Sequence, residues 1–167
     1  MIEVTPELSQ SAHAVARLLA ERGETLAVAE SSAGGLISAS LLSVPGASAF
    51  YVGGAVIYTL AASKALLAAA VEMPPNIRDA SDPFARYLAQ AIALRLGASW
   101  GLAETGATGP AANRYGDPPG HAWVAVNGDK GQDQDSLHVL TGSDDRQANM
   151  VAFATAAVAL LQQKLTT

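Results

Sequence analysis

The chain has 167 residues, the length of one ordinary domain and too short for two well-cored ones. Half of it is apolar, yet 35 residues are alanine and only nine are aromatic, so the core must come from Ala, Leu and Val on closely packed helices. Charged residues make up 15% and the net charge is −5, with ten scattered basic residues. That excludes both a disordered chain and a nucleic-acid binder built on a basic stripe.

In chain order, Thr5-Pro6-Glu7 reads as a helix start: a capping hydroxyl, proline at the first helical position and a carboxylate near the positive helix end. Leu8, Ala12, Val15 and Leu19 continue at helical spacing, and Gly23 stops them. A short strand is expected over Thr25–Ala29, a turn over 30–35, and a helix over Leu36–Ser43 that Val44-Pro45-Gly46 ends. Gly53–Tyr58 reads as a second strand and Leu60–Ala69 as a helix, broken by Pro74 and Pro75. Ser81-Asp82-Pro83 starts the next helix, which runs to Leu96 and stops at Gly97. Ser99–Thr105 is a third strand, and a long loop covers Gly106–Gly120. His121–Asn127 and Ser136–Thr141 alternate as strands around a turn at Gly128-Asp129-Lys130-Gly131. Ser143-Asp144-Asp145 opens a last helix through about Leu165. Helices alternating with strands, followed by a hairpin, imply one layered α/β domain over residues 1–167 with a mixed sheet.

Without cysteine there are no disulfides, no Cys-ligated zinc and no thiol nucleophile. His13, His121 and His138 show no ligand spacing to one another, so no metal site is expected. Acidic residues stand near the start where a secretory signal carries bases. The 33 uncharged residues between Glu30 and Lys64 hold five glycines and a proline, so they read as strands and turns rather than a membrane span. A cytoplasmic protein is expected, and apolar helix faces are compatible with self-association.

Two loops carry more small residues than a connection needs. The first, Ala29-Glu30-Ser31-Ser32-Ala33-Gly34-Gly35, joins a strand to a helix, where backbone amides can approach an anion or an oxyanion. The same residues also serve a plain turn, with Ser31 or Ser32 as a helix cap. The second, Thr105-Gly106-Ala107-Thr108-Gly109-Pro110, again follows a buried strand, and the two could line one pocket. Glu30 is expected to fix its turn by accepting hydrogen bonds. Trp100 and Trp123 are expected in the core.

In these segments the sequence resembles the CinA carboxyl-terminal domain family. The resemblance rests on Ala29–Leu36, Pro45-Gly46-Ala47-Ser48, Gly54-Ala55-Val56-Ile57-Tyr58, Thr105–Pro110 and Asp144-Asp145-Arg146, in that order. It implies an α/β/α domain that hydrolyses the carboxamide of nicotinamide mononucleotide to nicotinate mononucleotide and ammonia, without metal or cofactor. By the resemblance Ser31 is the nucleophile, with Lys64 as its base and Tyr58 beside it. A desolvated lysine can take the serine proton. Ser32, Gly34 and Gly35 with Thr105, Gly106, Thr108 and Gly109 then form the implied substrate-binding loops, and Arg114 and Arg146 supply cations for a nucleotide phosphate.

The chain departs from the family pattern at several points. Ser32-Ala33 replaces Cys-Thr, and Tyr58 to Lys64 is six residues instead of five. Ala111-Ala112-Asn113-Arg114 replaces a Gly-Gly-Ser stretch, and Met150 stands where a second arginine is common. One extra residue on a helix turns a side chain by about 100°. A member that binds a nucleotide-like ligand or a partner without turnover is therefore the alternative reading.

Overall fold

The computed structural model describes residues 2–128, 131 and 133–167. The Thr5 hydroxyl accepts from the Leu8 amide, and helix α1 runs Pro6–Arg22 until Gly23 ends it at φ +64°. Strand β1 (Leu26–Glu30), helix α2 (Leu36–Leu42) and strand β2 (Tyr51–Val56) follow. Next come helices α3 (Leu60–Leu67) and α4 (Asp82–Leu96), the second capped by Ser81 on the Phe84 amide and closed by Gly97 at φ +66°. Strands β3 (Trp100–Ala107), β4 (His121–Gly128) and β5 (Asp133–Leu140) precede the last helix, α5 (Arg146–Thr166). The Asp145 side chain caps α5.

The strands form one mixed sheet in the order β2-β1-β3-β4-β5. β2, β1 and β3 are parallel, whereas β4 and β5 join antiparallel. A parallel pair needs a crossover, which α2 supplies between β1 and β2 and α3 with α4 supply between β2 and β3. Side chains alternate through the sheet. Leu26, Val28, Leu102, Val124 and Val126 face α1, α2 and α5, where Leu8, Val15, Leu19, Ile37, Leu41 and Leu161 cover them. Ala27, Ala29, Ala103 and Ala125 face the other way, toward α3 and α4, under Leu67, Phe84, Leu88 and Ile92. The sheet is small-sided on that face because α4 lies close, and a β-carbon on Gly101 would overlap the Ala89 carbonyl oxygen. The fold is the α/β architecture with a mixed sheet that the sequence implies.

Several boundaries shift. β2 starts at Tyr51, two residues before the expected Gly53, and ends at Val56, so Tyr58 lies beyond the strand rather than ending it. β3 continues to Ala107, which shortens the loop after it. β5 begins at Asp133 rather than Ser136, because polar Asp133, Gln134 and Asp135 pair with Gly128, Asn127 and Val126 despite their weak strand preference. Asp129 and Lys130 of the expected turn lie outside the described residues. Trp100 is buried as expected, whereas Trp123 is only half-buried and stacks on His138, ring centroids 4.6 Å apart. No described helix is long and apolar enough to cross a membrane.

Candidate functional site

Parallel register sets Glu30 of β1 opposite Glu104 of β3, and both side chains are fully buried. Buried carboxylates need donors. Glu30 reaches forward: Oε2 accepts from the Gly35 and Ile37 amides at 2.9 and 3.0 Å, and Oε1 from the Ser38 amide at 3.0 Å and its hydroxyl at 2.6 Å. It thereby caps α2, for which Gly35 provides no side chain. Glu104 reaches across the sheet. Its Oε2 accepts from the Ser31 and Ala33 amides at 3.0 and 2.8 Å, and its Oε1 accepts from the Ser32 hydroxyl. Burial pushes the Glu104 carboxyl up to about 7, against the pull of its three donors, and the neighbouring Glu30 adds to the rise. The two glutamates clamp the loop, and among the described residues the Ser31 hydroxyl alone of the loop's side-chain groups has no hydrogen-bond partner.

Ser31 lies on the wall of a cavity of about 290 Å³ at the carboxyl ends of the parallel strands. Tyr58 and Thr59 border it beyond β2, and Thr105 and Gly106 border it from β3. Asp79, Ala80 and Phe84 form another side, and Asn113, Arg114 and Tyr115 the last. Thr105 is buried, and its hydroxyl oxygen accepts from the Ala80 amide at 3.1 Å. Gly106 answers to β4 rather than to a ligand, since a β-carbon there would stand 2.6 Å from the Ala122 methyl. Arg114 donates to Asp79 at 2.8 Å and to the Tyr115 hydroxyl at 2.6 Å. A larger hollow, about 500 Å³, opens at the opposite ends of the strands beside Glu24, Trp100 and Asn127. It touches none of the expected site residues, and its Glu24 is engaged by the Trp100 indole at 2.7 Å.

Of the expected set, the cavity unites Ser31, Tyr58, Thr105, Gly106 and Arg114. Ser32 is buried with its hydroxyl committed to Glu104, and the Gly35 amide is committed to Glu30. Gly34 faces the methyl of Met150, which a β-carbon would meet at 2.8 Å. The Thr108 carbonyl accepts from Asn149 at 2.9 Å, and the Gly109 carbonyl from Arg146 at 2.9 Å. Arg146 reaches the cavity only through the Tyr58 hydroxyl, at 3.4 Å. Lys64 stands apart: it is exposed on α3, absent from the cavity wall and without a hydrogen bond or ion pair among the described residues. The six-residue spacing explains this, since Ser63 and Leu67 take the buried face of α3 and Lys64 is rotated to solvent.

Other residues went unmarked in the sequence. Glu104 had a signal, a lone charge in the apolar run of β3. Asp79 and Asn149 had none. The sequence shows no ligand spacing between His121 and His138, yet the β4–β5 register sets them diagonally, Nδ1 of the first 2.8 Å from Nε2 of the second. His121 Nε2 in turn lies 2.8 Å from the Ala80 carbonyl oxygen and 3.8 Å from Asp117, whose carboxylate pairs with Arg78. Among the described residues no three His, Asp or Glu side chains gather as a metal site.

A serine-bearing loop lines a small cavity at the carboxyl ends of parallel strands, the place where open α/β sheets bind ligands. The chain belongs to the CinA C-terminal domain family, whose model matches residues 8–165. It is 39% identical over 122 residues to a CinA-like protein of Prochlorococcus marinus, covering 73% of this chain and 28% of that one. A CinA-like protein of Synechocystis sp. is 36% identical over 136 residues, covering 81% and 32%. The chain thus spans less than a third of either relative. A solved CinA superfamily protein from Klebsiella pneumoniae superposes with a TM-score of 0.86 at 28% identity, covering 95% of this chain and 98% of its own. A competence/damage inducible protein from Agrobacterium tumefaciens shares the fold at a TM-score of 0.88 and 24% identity over the whole of both chains.

Proposed function

We propose that this chain is a CinA-type hydrolase that deamidates nicotinamide mononucleotide, or a related amide, with Ser31 as nucleophile. The observation that carries this reading is the unengaged Ser31 hydroxyl on the cavity wall, in a loop otherwise held by Glu30 and Glu104. A fixed backbone with one free hydroxyl is the preorganisation that nucleophilic attack requires. Attack on the carboxamide carbon forms an ester to Ser31 Oγ and expels ammonia, the serine proton passing to the leaving nitrogen. Water then cleaves the ester and restores the hydroxyl. Arg114 on the wall and Arg146 at Tyr58 suit a nucleotide phosphate.

A second reading, binding without turnover, is favoured by the position of Lys64 and by Asn113, Arg114 and Tyr115 on the cavity wall. Ammonia release from nicotinamide mononucleotide separates the two. Release by the parent, lowered by roughly a thousandfold or more in Ser31→Ala, is the expected result. Undiminished release by Ser31→Ala would sink the serine mechanism, and a folded parent that binds the nucleotide without releasing ammonia would establish the second reading. Lys64→Ala reports on the base. Loss in that variant requires α3 to bring Lys64 to Ser31 during turnover, and retention assigns the proton transfer to another group.

A further inference from the structure

We infer that Glu104 is a positioning residue for Ser31 that works in its protonated form. Neutral, it holds the serine loop in place; ionised, it sets a negative charge against the oxyanion that forms there. The inference rests on the reading above, that Ser31 attacks an amide carbon.

One amide ties Ser31 to Glu104 twice, to the backbone carbonyl at 3.1 Å and to Oε2 at 3.0 Å. Oε2 also accepts from the Ala33 amide at 2.8 Å, and Oε1 from the Ser32 hydroxyl. The Ser31 hydroxyl belongs to the same residue as the shared amide, so a charge on Glu104 lies close to the atom that reacts. No counter-charge answers it. Glu104 is fully buried, with Glu30 beside it on β1 and Val124 opposite it on β4. It shares the sheet face of Leu102, which α2 and α5 cover at this end. α2 has no charged residue, and those of α5 are engaged elsewhere, Arg146 with Gly109 and Lys164 with Asp133. Two neighbouring buried carboxyls without a cation resist a second charge, and burial pushes Glu104 up to about 7.

A proton leaves the clamp intact. A hydroxyl both donates and accepts, so the bond between Ser32 and Oε1 reverses when Oε1 carries hydrogen, and Oε2 still accepts from both amides. Position is therefore common to the two forms, and charge is what differs. Attack on the amide carbon turns its carbonyl oxygen into an oxyanion, and a carboxylate in the same buried loop repels it. The reaction at Ser31 thus favours neutral Glu104.

The test is the pH profile of ammonia release at saturating nicotinamide mononucleotide, from about pH 5.5 to 8.5, for parent and Glu104→Gln. Glutamine keeps both amide contacts through its oxygen and donates to Ser32 through its nitrogen, so it copies the protonated clamp at every pH. The ratio of variant to parent kcat should be level below about pH 6 and rise to roughly fivefold or more by about pH 8. Other titrating groups cancel in that ratio. Ser32→Ala removes the hydroxyl bond that pulls Glu104 down, so its activity should decline at a higher pH than the parent's. That variant carries the test if circular dichroism shows Glu104→Gln unfolded. A level ratio, or an unmoved profile in Ser32→Ala, overturns the inference and leaves the Ser31 reading standing. A ratio that falls with pH also overturns it, since ionised Glu104 would then aid the reaction. No ammonia from the parent at any pH overturns the deamidation reading and the inference with it.

Discussion

Two fully buried glutamates in register on adjacent strands are held by different numbers of donors. Glu30 receives four, which occupy the lone-pair sites a carboxylate offers. Glu104 receives three, sits beside Glu30 and has its carboxyl pushed up to about 7 by burial. Between 4.5, its ordinary value, and about 7 the folded chain therefore holds a proton that the unfolded chain has released. Its contribution to stability is fully present below 4.5 and is lost as pH rises through about 7. Glu104→Gln mimics the protonated form and should remove that fall. Urea denaturation of parent and variant across this range should show a difference that widens toward neutral pH, to roughly 3 kcal/mol at most. His138 works in the opposite sense, because burial and the nearby His121 hold it below its ordinary 6.5 and its contribution is lost as pH falls. The variant-minus-parent difference cancels that background. A flat difference would mean that the three donors hold the Glu104 carboxylate ionised throughout.

At the scale of elements, the ends of α1 and α4 were legible because a capping residue marks each: Thr5 on Leu8, Ser81 on Phe84, and the left-handed Gly23 and Gly97, whereas α3, with no such residue at its end, stops at Leu67 rather than the expected Ala69. Strand ends lack such a marker, which is why β2 and β5 began earlier than their sequences suggest. The candidate site divides in the same way. Its loops were visible as runs of small residues after buried strands, whereas the orientation of Lys64 depends on which side of α3 meets the core. The Asp79 contact with Arg114 spans 35 positions, and nothing local encodes it. The approach of α4 to the sheet is a packing property of the same kind, compatible with the alanine-rich pattern but fixed only by Gly101 lying under Ala89. Gly101→Ala should cost about 1–3 kcal/mol by overpacking, read from the denaturation midpoint at unchanged slope. A neutral result would show that α4 can lift from the sheet without penalty.

The whole molecule is closed by its last helix, which returns to the site. Near its far end, the Leu165 carbonyl accepts from Arg22 of α1. In its first turns, Arg146 holds the Gly109 carbonyl, and the fully buried Asn149 joins three segments. Asn149 Nδ2 donates to the Thr108 carbonyl at 2.9 Å and to the Ser143 carbonyl at 2.8 Å, and its Oδ1 accepts from the Thr141 hydroxyl at 2.5 Å. One amide thus ties the loop after β3 to the end of β5 and to α5, which predicts coupling between the carboxyl-terminal helix and the cavity. Asn149→Leu keeps the volume but leaves the buried Thr108 carbonyl, and the more exposed Ser143 carbonyl and Thr141 hydroxyl, without their partner, so it should destabilise the chain by about 1–3 kcal/mol. On the proposed function it should also weaken nucleotide binding, because the Thr105–Pro110 loop loses an anchor. Arg146→Ala removes an exposed contact and should leave stability within about 0.5 kcal/mol while still weakening binding. Denaturation and calorimetry on the two variants separate these effects. If Asn149→Leu loses stability but binds as the parent does, the loop after β3 is held without α5, and the coupling between the last helix and the cavity is absent.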